Sequence, residues 1–336
     1  MKKKAIFIGN NTRNAIDSVY RDEIKNKLFE LVEMNKVIIS RDNFKEHIKV
    51  LAEAEVAFSS WGMEPFSEDE INTYMPNLKV VFYAAGSVQS FARPFINCGV
   101  KVISGWAANA VPVSEYCAAQ IILANKGYYQ LTRLYKKRYE NDDMKIQNSY
   151  PGNYNVKVGL IGVGMIGSKI IELLSHSKLD ILVFDPYLSD DKAKSMNVRK
   201  TGLEEIFSTC QTISNHLANL PATVGMLTSD HFSRMLPNAT FINTGRGAQV
   251  IENDLADAMR EFPTRTALLD VTLVEPLERD SSLLKLDNVF LTPHIAGSNG
   301  DEIVRMAEYM LDEFQRYEKG EELKYNVTLK MLETMA

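Results

Sequence analysis

The sequence contains few cysteines, no excess of positive charge and no long hydrophobic run. Its three cysteines, Cys98, Cys117 and Cys210, are an odd number without metal-ligand spacing, and each lies in an apolar stretch. We therefore expect buried, reduced thiols of a cytoplasmic protein rather than a disulfide framework or a metal site. Lysine and arginine total 38 against 43 aspartates and glutamates, a net charge of −5. This balance does not predict nucleic-acid binding, so small molecules are the expected partners.

No segment approaches the length of a membrane-spanning helix, and we expect no membrane partner. The charged start Met1–Lys4 resembles that of a signal peptide, but the apolar run Ala5–Ile8 stops at Gly9 and is too short for a signal sequence. The composition, 45% hydrophobic and 24% charged, is typical of a globular protein. Because 336 residues exceed the size at which a single core usually stops growing, two domains are expected.

Short apolar stretches alternate with amphipathic helical patterns through the first part of the chain. The predicted strands are Lys4–Ile8, Lys36–Ile39, Val56–Ser59, Lys79–Tyr83 and Lys101–Ile103. Strands that alternate with helices predict a parallel sheet covered on both faces.

The same alternation returns after a linker at Ser104–Asn109 and a long helix from Val111 to about Glu140. The strands predicted there end near Gly162, Phe184, Ser214, Asn243, Val271 and Thr292. A final helix is predicted from about Gly300 to Lys319. Since no further strand of the second sheet follows it, we expect it to complete the first domain. We predict an α/β protein with two doubly wound parallel sheets, one in residues 1–106 plus 298–336 and one in residues 107–297.

The segment Gly162–Gly167 has the spacing G-x-G-x-x-G between an apolar strand and the apolar periodicity of a helix. In a dinucleotide-binding turn the first glycine permits the tight turn, the second lets the backbone approach a pyrophosphate, and the third lets the helix pack on the strand. A second apolar stretch ends in Asp185, where the fingerprint requires a carboxylate. Such a carboxylate binds ribose hydroxyls and favours NAD over NADP. Alternatively, Asp185 is a turn residue before Pro186.

Polar and glycine residues cluster where the strands of the second domain end. They are the glycine turn, Asp185, Asn215 with His216, Thr244–Gly247, Asp270 with Glu275, and Pro293 with His294. Ligands bind outside the carboxyl ends of the strands in open parallel sheets. We therefore expect one cofactor cleft at this edge.

Three of these residues form a candidate catalytic group. Arg246 lies between glycines that we interpret as keeping the backbone open, and its guanidinium fork suits a carboxylate and an adjacent carbonyl oxygen. His294 is the candidate acid or base, with His216 as runner-up. Glu275 would orient the His294 imidazole and favour its protonated form. The alternatives are a surface arginine for Arg246 and, for Glu275, a turn residue before Pro276.

This group predicts a reaction. Hydride passes from nicotinamide to a carbonyl carbon, His294 gives a proton to the oxygen, and Arg246 holds the neighbouring carboxylate. A 2-keto acid is thereby reduced to a 2-hydroxy acid, or the reverse. In the first domain, the small-residue loop at Gly86 and Ser87 would offer N–H groups to the substrate carboxylate as it leads into a helix, unless it is only a tight turn.

Four segments together resemble the D-isomer-specific 2-hydroxyacid dehydrogenases in order and spacing. They are Gly162–Gly167 with Asp185, Phe241–Gly247, Ala267–Val271 followed by Glu275 and Pro276, and Leu291–Gly297. The resemblance implies NAD as cofactor, a larger Rossmann domain, a smaller flavodoxin-like substrate domain, and a homodimer built around the first crossover helix.

The resemblance also implies roles for single residues. The catalytic residues would be Arg246, Glu275 and His294, and the substrate would contact Gly86, Ser87 and Arg246. The cofactor would contact Gly162, Gly164, Met165, Ile166, Gly167, Asp185, Thr244 and Asp270, the last near the nicotinamide carboxamide.

The sequence departs from the family pattern at three places. Residues Gly86–Ser90 lack the acidic residue that many members carry, Asn215–Asn219 replaces the usual Leu-His-x-Pro, and Gln249 stands where members often have an aliphatic residue. These departures leave the predicted chemistry intact and bear on the substrate. The alternative function is a non-catalytic NAD(H)-sensing protein on the same scaffold.

Overall fold

The computed structural model describes residues 1–10, 14–136 and 148–335. They divide into two compact units, which we call unit 1 (Met1–Asn109 with Ser298–Ala336) and unit 2 (Ala110–Gly297). Each unit is an α/β fold built on its own largely parallel sheet, which confirms the predicted fold class.

The strands of the described residues are short, and most agree with the predicted ones. In chain order they are β1 (Lys4–Ile8), β2 (Glu33–Ile39), β3 (Val56–Ser59), β4 (Val80–Tyr83), β5 (Lys101–Ser104), β6 (Tyr154–Ile161), β7 (Lys178–Phe184), β8 (Arg199–Lys200), β9 (Thr212–Asn215), β10 (Thr240–Asn243), β11 (Thr266–Leu269), β12 (Val289–Leu291) and β13 (Asn326–Val327).

Helices connect these strands. The α-helices are α1 (Ala15–Val19), α2 (Asp22–Leu31), α3 (Ile48–Glu53), α4 (Glu68–Tyr74), α5 (Ala92–Asn97), α6 (Trp106–Asn125), α7 (Tyr128–Lys136), α8 (Met165–Leu174), α9 (Asp190–Ser195), α10 (Leu203–Thr209), α11 (Ser229–Phe232), α12 (Glu252–Glu261) and α13 (Val304–Lys319). Short 3-10 turns cover Phe44–His47, Pro221–Thr223, Gly247–Gln249, Ser282–Lys285, Gly300–Ile303 and Met331–Glu333. None of the described helices combines the length and the apolar character that crossing a membrane requires.

The sheet of unit 1 has the order β13-β5-β4-β3-β1-β2. Strands β1 to β5 pair in parallel in the order of flavodoxin-like folds, and β13 lies antiparallel to β5. Helix α13 packs on this sheet through Met306, Met310 and Phe314, which share one helical face and are fully buried. The helix that follows the last strand of unit 2 in the sequence therefore belongs to the core of unit 1.

The sheet of unit 2 is parallel throughout, with the order β12-β11-β10-β9-β6-β7-β8. This is the Rossmann order with one strand added beyond β11. Phe241 and Ala267 belong to one apolar cluster, and the residues that follow them, Ile242 and Leu268, belong to another. Since successive side chains of a strand point to opposite faces, the sheet is covered on both sides. The chain order reverses at β6, where ligands of such sheets bind.

The crossover helix differs from its prediction. Helix α6 already begins at Trp106, so Pro112 lies inside it and the predicted linker is partly helical. The helix ends before Gly127, which has a φ of +69° and whose added Cβ would lie 2.4 Å from the ring of Tyr150. Helix α7 then continues to Lys136, and residues 137–140 of the predicted helix lie outside the described residues.

The three cysteines are free thiols. Cys117 and Cys210 are buried, as expected, and burial raises the pKa of each thiol to about 12. The expectation is wrong for Cys98, the C-cap residue of α5, which is only partly buried.

Candidate active site

The glycine turn joins β6 to α8, and a different physical reason explains the glycine at each of its three positions. Gly162 has a φ of +90°, and an added Cβ would lie 2.8 Å from the carbonyl oxygen of His216. An added Cβ at Gly167 would lie 2.3 Å from the carbonyl oxygen of Gly162, so α8 packs directly on the turn. At Gly164 an added Cβ would meet no described atom within 4 Å. Two glycines are thus required by packing, and the third leaves the backbone accessible.

Helix α8 starts at Met165, immediately after Gly164. Ile166 packs on the apolar cluster of unit 2, whereas Met165 is 44% exposed. The first N–H groups of a helix have no partner within it, and the helix dipole places partial positive charge there. An open glycine beside these N–H groups fits the pyrophosphate of a dinucleotide.

Asp185 follows β7 and is held against the glycine turn. Its Oδ2 accepts a hydrogen bond from the Val163 N–H at 2.7 Å, and its Oδ1 accepts one from the Tyr187 N–H at 2.8 Å. The side chain is half-buried. A fixed carboxylate therefore lies beside the turn that suits a pyrophosphate.

The turn that carries Arg246 follows β10. An added Cβ at Gly247 would lie 1.9 Å from the carbonyl carbon of Thr272, and one at Gly245 would lie 2.6 Å from Oε1 of Gln249. The interpretation that these glycines keep the backbone open is therefore wrong, because both positions are closely packed. The guanidinium donates from Nη1 to the Gly245 carbonyl at 2.7 Å.

Arg246 is half-buried, and burial lowers the pKa of its guanidinium while the charge of Glu275 raises it. The positive charge of Arg246 and the carboxylate of Glu275 therefore interact electrostatically within unit 2. Because the ordinary pKa of arginine is above 12, the side chain stays charged at neutral pH.

His294 follows β12 and pairs with Glu275. Its Nδ1 donates to Oε2 of Glu275 at 2.8 Å, and the other carboxylate oxygen accepts a bond from the Thr272 N–H at 3.3 Å. The His294 side chain is 47% exposed and that of Glu275 is 40% exposed. His294 has a φ of +55°, which is uncommon for a residue with a side chain and is found mostly where surrounding structure enforces it.

Asp270, 3% exposed at the end of β11, enforces the shape of the His294 loop. Its carboxylate accepts bonds from the hydroxyl of Thr292 at 2.7 Å and from the N–H groups of Ile295 and Ala296, each at 2.8 Å. Its own carbonyl accepts the His294 N–H at 3.0 Å. Sequence reasoning missed Thr292, for which the only signal was a hydroxyl just before Pro293.

Thr244 and His216 lie deeper than the pair formed by Glu275 and His294. The hydroxyl of Thr244 lies 3.2 Å from Sγ of Cys117 and 3.4 Å from Nδ1 of His216. Burial lowers the pKa of the His216 imidazole to about 3, and its Nε2 has no hydrogen-bond partner among the described residues. His216 is thus a neutral, buried ring, whereas His294 is paired with a carboxylate.

Gly86 and Ser87 lie in unit 1, in the loop after β4. The carbonyl of Gly86 accepts a bond from the Ser104 hydroxyl at 2.8 Å, and Ser87 is exposed. The loop Ala84–Ser90 leads into helix α5, which begins at Ala92 with Phe91 as its N-cap residue, as predicted. Among the described residues, no group of three histidine, cysteine, aspartate or glutamate side chains is placed to hold a metal ion.

Comparison with known proteins supports one family. Residues 119–296, more than half of the chain, match the family described as D-isomer specific 2-hydroxyacid dehydrogenase, NAD binding domain. D-3-phosphoglycerate dehydrogenase of Archaeoglobus fulgidus is 24% identical over 264 residues, 76% of this chain and 48% of that protein. A putative 2-hydroxyacid dehydrogenase of Bacillus subtilis is 34% identical over 163 residues, 48% of this chain and 46% of that protein.

The chain thus spans about half the length of these curated relatives. The crystal structure of a phosphoglycerate oxidoreductase from Rhizobium etli aligns with a TM-score of 0.81 at 19% identity, covering 98% of this chain and 100% of the other. At this identity the likeness shows the fold. From the family match we conclude that the protein belongs to the D-isomer specific 2-hydroxyacid dehydrogenase family and uses NAD.

Proposed function

We propose that the protein interconverts a 2-keto acid and a D-2-hydroxy acid, with NAD(H) as the hydride carrier. The observation that carries this proposal is the 2.8 Å hydrogen bond between His294 and Glu275, in a cluster where the charge of Glu275 also acts on Arg246. An imidazole and a guanidinium that both interact with the Glu275 carboxylate supply the two groups that reduction of a 2-keto acid needs from the protein. One group handles the proton, and the other binds the carboxylate.

His294 acts as the acid or base. Since Nδ1 is engaged with Glu275, Nε2 is the atom that exchanges a proton with the substrate oxygen. The Glu275 carboxylate orients the ring, and its negative charge offsets the positive charge of the protonated imidazole. The Thr272 N–H in turn holds Glu275. Because His294 is about half exposed, a substrate can reach its ring.

Arg246 binds the substrate carboxylate and polarises the neighbouring carbonyl oxygen. A guanidinium presents parallel N–H donors that match a carboxylate, and partial burial strengthens such a charge-assisted bond. The close packing of Gly245 and Gly247 fixes the backbone on both sides of Arg246.

Residues Gly162–Gly167 and the start of α8 would hold the cofactor pyrophosphate, and Asp185 would bind the adenosine ribose. Thr244 and Asp270 would lie near the nicotinamide. NADH, when bound, supplies a hydride to the carbonyl carbon of the substrate. The carboxylate of Asp270 already accepts three hydrogen bonds within its own unit, so it would act mainly by fixing the His294 loop.

The same proposal assigns a role to each domain. Residues 107–297 would be the NAD-binding domain, and residues 1–106 with 298–336 would be the substrate domain, where Gly86 and Ser87 contact the substrate carboxylate. We expect a homodimer in the cytoplasm with a small-molecule substrate. The net charge of −5 gives no support to a nucleic-acid partner.

The test is a screen of NADH oxidation with pyruvate, hydroxypyruvate and branched-chain 2-keto acids, repeated with NADPH. We expect turnover of at least one keto acid, a D-configured product, and a preference for NADH that follows from Asp185. The His294→Ala variant serves as the catalytic control. NADH binding without turnover of any keto acid would contradict the proposal and favour an NAD(H)-sensing protein. Equal use of NADPH would refute the role given to Asp185.

A further inference from the structure

Three buried side-chain amides lie beneath the Arg246 turn. Asn215 and Asn243 are paired in register at the ends of the neighbouring parallel strands β9 and β10, and Gln249 closes the 3-10 turn that follows Arg246. Asn215 and Gln249 are 0% exposed and Asn243 is 1% exposed. Amides this deeply buried are costly unless their donors and acceptors are paired.

Gln249 uses its full hydrogen-bonding capacity. Its Oε1 accepts bonds from Nδ2 of Asn215 at 2.7 Å and from the Arg246 N–H at 3.1 Å. Its Nε2 donates to the carbonyl groups of Leu217 at 2.8 Å and Ala218 at 3.0 Å. An amide can make four such bonds, so Gln249 ties the loop after β9 to the turn after β10 without an unpaired group.

Asn243 holds the other side of the same turn. Its Oδ1 accepts bonds from Nδ2 of Asn215 at 3.0 Å and from the Gly245 N–H at 3.1 Å, and its Nδ2 donates to the Arg246 carbonyl at 3.2 Å. Side-chain amides therefore bind both the N–H and the C=O of Arg246. Because the two peptide groups fix the direction of the Cα–Cβ bond, the amides determine where the guanidinium can reach.

We infer that Asn215 and Gln249 form a coupled pair that positions Arg246 for substrate. The inference rests on the proposed role of Arg246. The two positions are places where the sequence departs from the family pattern, and in the structure the departing side chains bond to each other. If one is replaced by an apolar side chain, the other loses a buried hydrogen bond, although Asn215 Nδ2 still donates to Asn243 and Gln249 Oε1 still accepts from the Arg246 N–H. Replacement of both loses the bond between them only once.

Apart from the bond of Asn215 to Asn243 at the end of β10, the bonds of Gln249 and Asn215 end on the Arg246 turn and on the loop after β9. A misplacement of about 1 Å in a substrate-binding group costs up to about a hundredfold in rate. We therefore expect Gln249→Met, which keeps the length of the side chain and loses its hydrogen bonds, to lower kcat/KM for the keto acid at least about tenfold. The Kd for NADH should change less than about twofold, since the glycine turn and Asp185 are untouched.

Gln130→Met is the matched control. Gln130 is 3% exposed in the same unit, and its Nε2 donates to the Arg265 carbonyl at 2.6 Å and the Thr266 hydroxyl at 2.8 Å, at the opposite end of the strands. The Gln130→Met variant should lower the melting temperature as much as Gln249→Met does and leave kcat/KM unchanged. If both variants lower stability and neither lowers kcat/KM, Gln249 is only structural and the inference is wrong.

The double variant Asn215→Leu/Gln249→Leu tests the coupling. The loss in kcat/KM should be smaller than the product of the losses in the two single variants, because the hydrogen bond between the two side chains is lost only once. Losses that multiply would show that the two residues act independently.

Hydrogen exchange of the Arg246 amide tests the inference without turnover. In Gln249→Met this amide should lose at least about tenfold of its protection, since its acceptor is gone, whereas Gln130→Met should match the wild type. If the wild type reduces no keto acid but the exchange result holds, the proposed function fails and the backbone assignment stands. If keto acids are turned over and Arg246 exchange is unchanged in Gln249→Met, the inference fails and the proposed function stands.

Discussion

Glu275 and His294 are joined by a 2.8 Å hydrogen bond between loops that follow neighbouring parallel strands, β11 and β12. Neighbouring groups hold both members of the pair in place. The Thr272 N–H holds the carboxylate, and Asp270 holds the backbone of the imidazole loop. A ring fixed in this way presents one nitrogen to its partner and keeps the other for proton transfer.

Replacement of His294 by alanine should lower kcat by about two to four orders of magnitude, the usual contribution of a positioned acid or base. NADH binding should persist, because the glycine turn does not depend on the ring. Steady-state kinetics and fluorescence titration with NADH would measure the two effects. The exposed His176→Ala serves as control and should be normal in both. Near-normal turnover in His294→Ala would exclude His294 as the acid or base.

Replacement of Glu275 by glutamine should lower kcat by about ten- to a hundredfold, with little change in the Kd for NADH. Glutamine keeps the size of the side chain but carries no charge, and its NH₂ group can hold the imidazole in the wrong tautomer. The measurement is kcat for keto-acid reduction beside Glu278→Gln, an exposed glutamate on the same loop. Equal kcat values in the two variants would show that the Glu275 pairing has no catalytic role.

Gly164 and Gly202 allow a matched test of the cofactor turn. An added Cβ meets no described atom within 4 Å at either position, and neither has a positive φ, so alanine should leave the melting temperature unchanged in both variants. Only Gly164 faces the proposed pyrophosphate. We expect Gly164→Ala to raise the Kd for NADH at least about tenfold and Gly202→Ala to leave it unchanged, as measured by calorimetry. Tight NADH binding by Gly164→Ala would place the pyrophosphate elsewhere.

Much of the fold could be predicted from local pattern. Strand β3 is an apolar run bounded by polar residues, and its observed range equals the predicted one. Strands β8 and β13 were missed because two residues carry no periodicity and pair only through tertiary contacts. Strand β2 begins at Glu33 rather than Lys36, since Met34 is the one apolar residue among its first three and Ile39 is the one fully buried residue of this edge strand.

The site could be predicted to the level of strand ends and of the pairing between Glu275 and His294. Parallel strands place their carboxyl ends on one edge, so Asp270, Glu275 and His294 could be expected on one side of the unit 2 sheet. The bonds from Ile295 and Ala296 to Asp270 depend on a loop in which His294 has a φ of +55°. The sequence contains no signal for this conformation. The same holds for the bond between Asn215 and Gln249, residues far apart in the chain.

His216 should make unit 2 sensitive to acid. Its pKa is about 3 in the folded protein because the ring is buried, against an ordinary value of 6.5. Above pH 6.5 the ring is neutral in both the folded and the unfolded protein, and His216 does not lower the free energy of unfolding. As the pH falls, the unfolded chain takes up a proton that the folded protein excludes, so the free energy of unfolding falls by about 1.4 kcal/mol per pH unit, or about 2 kcal/mol by about pH 5. Urea denaturation at about pH 7 and about pH 5 should show this loss in the wild type and in the control His176→Gln, and a smaller loss in His216→Gln. An equal loss in His216→Gln would mean that other groups cause the acid sensitivity.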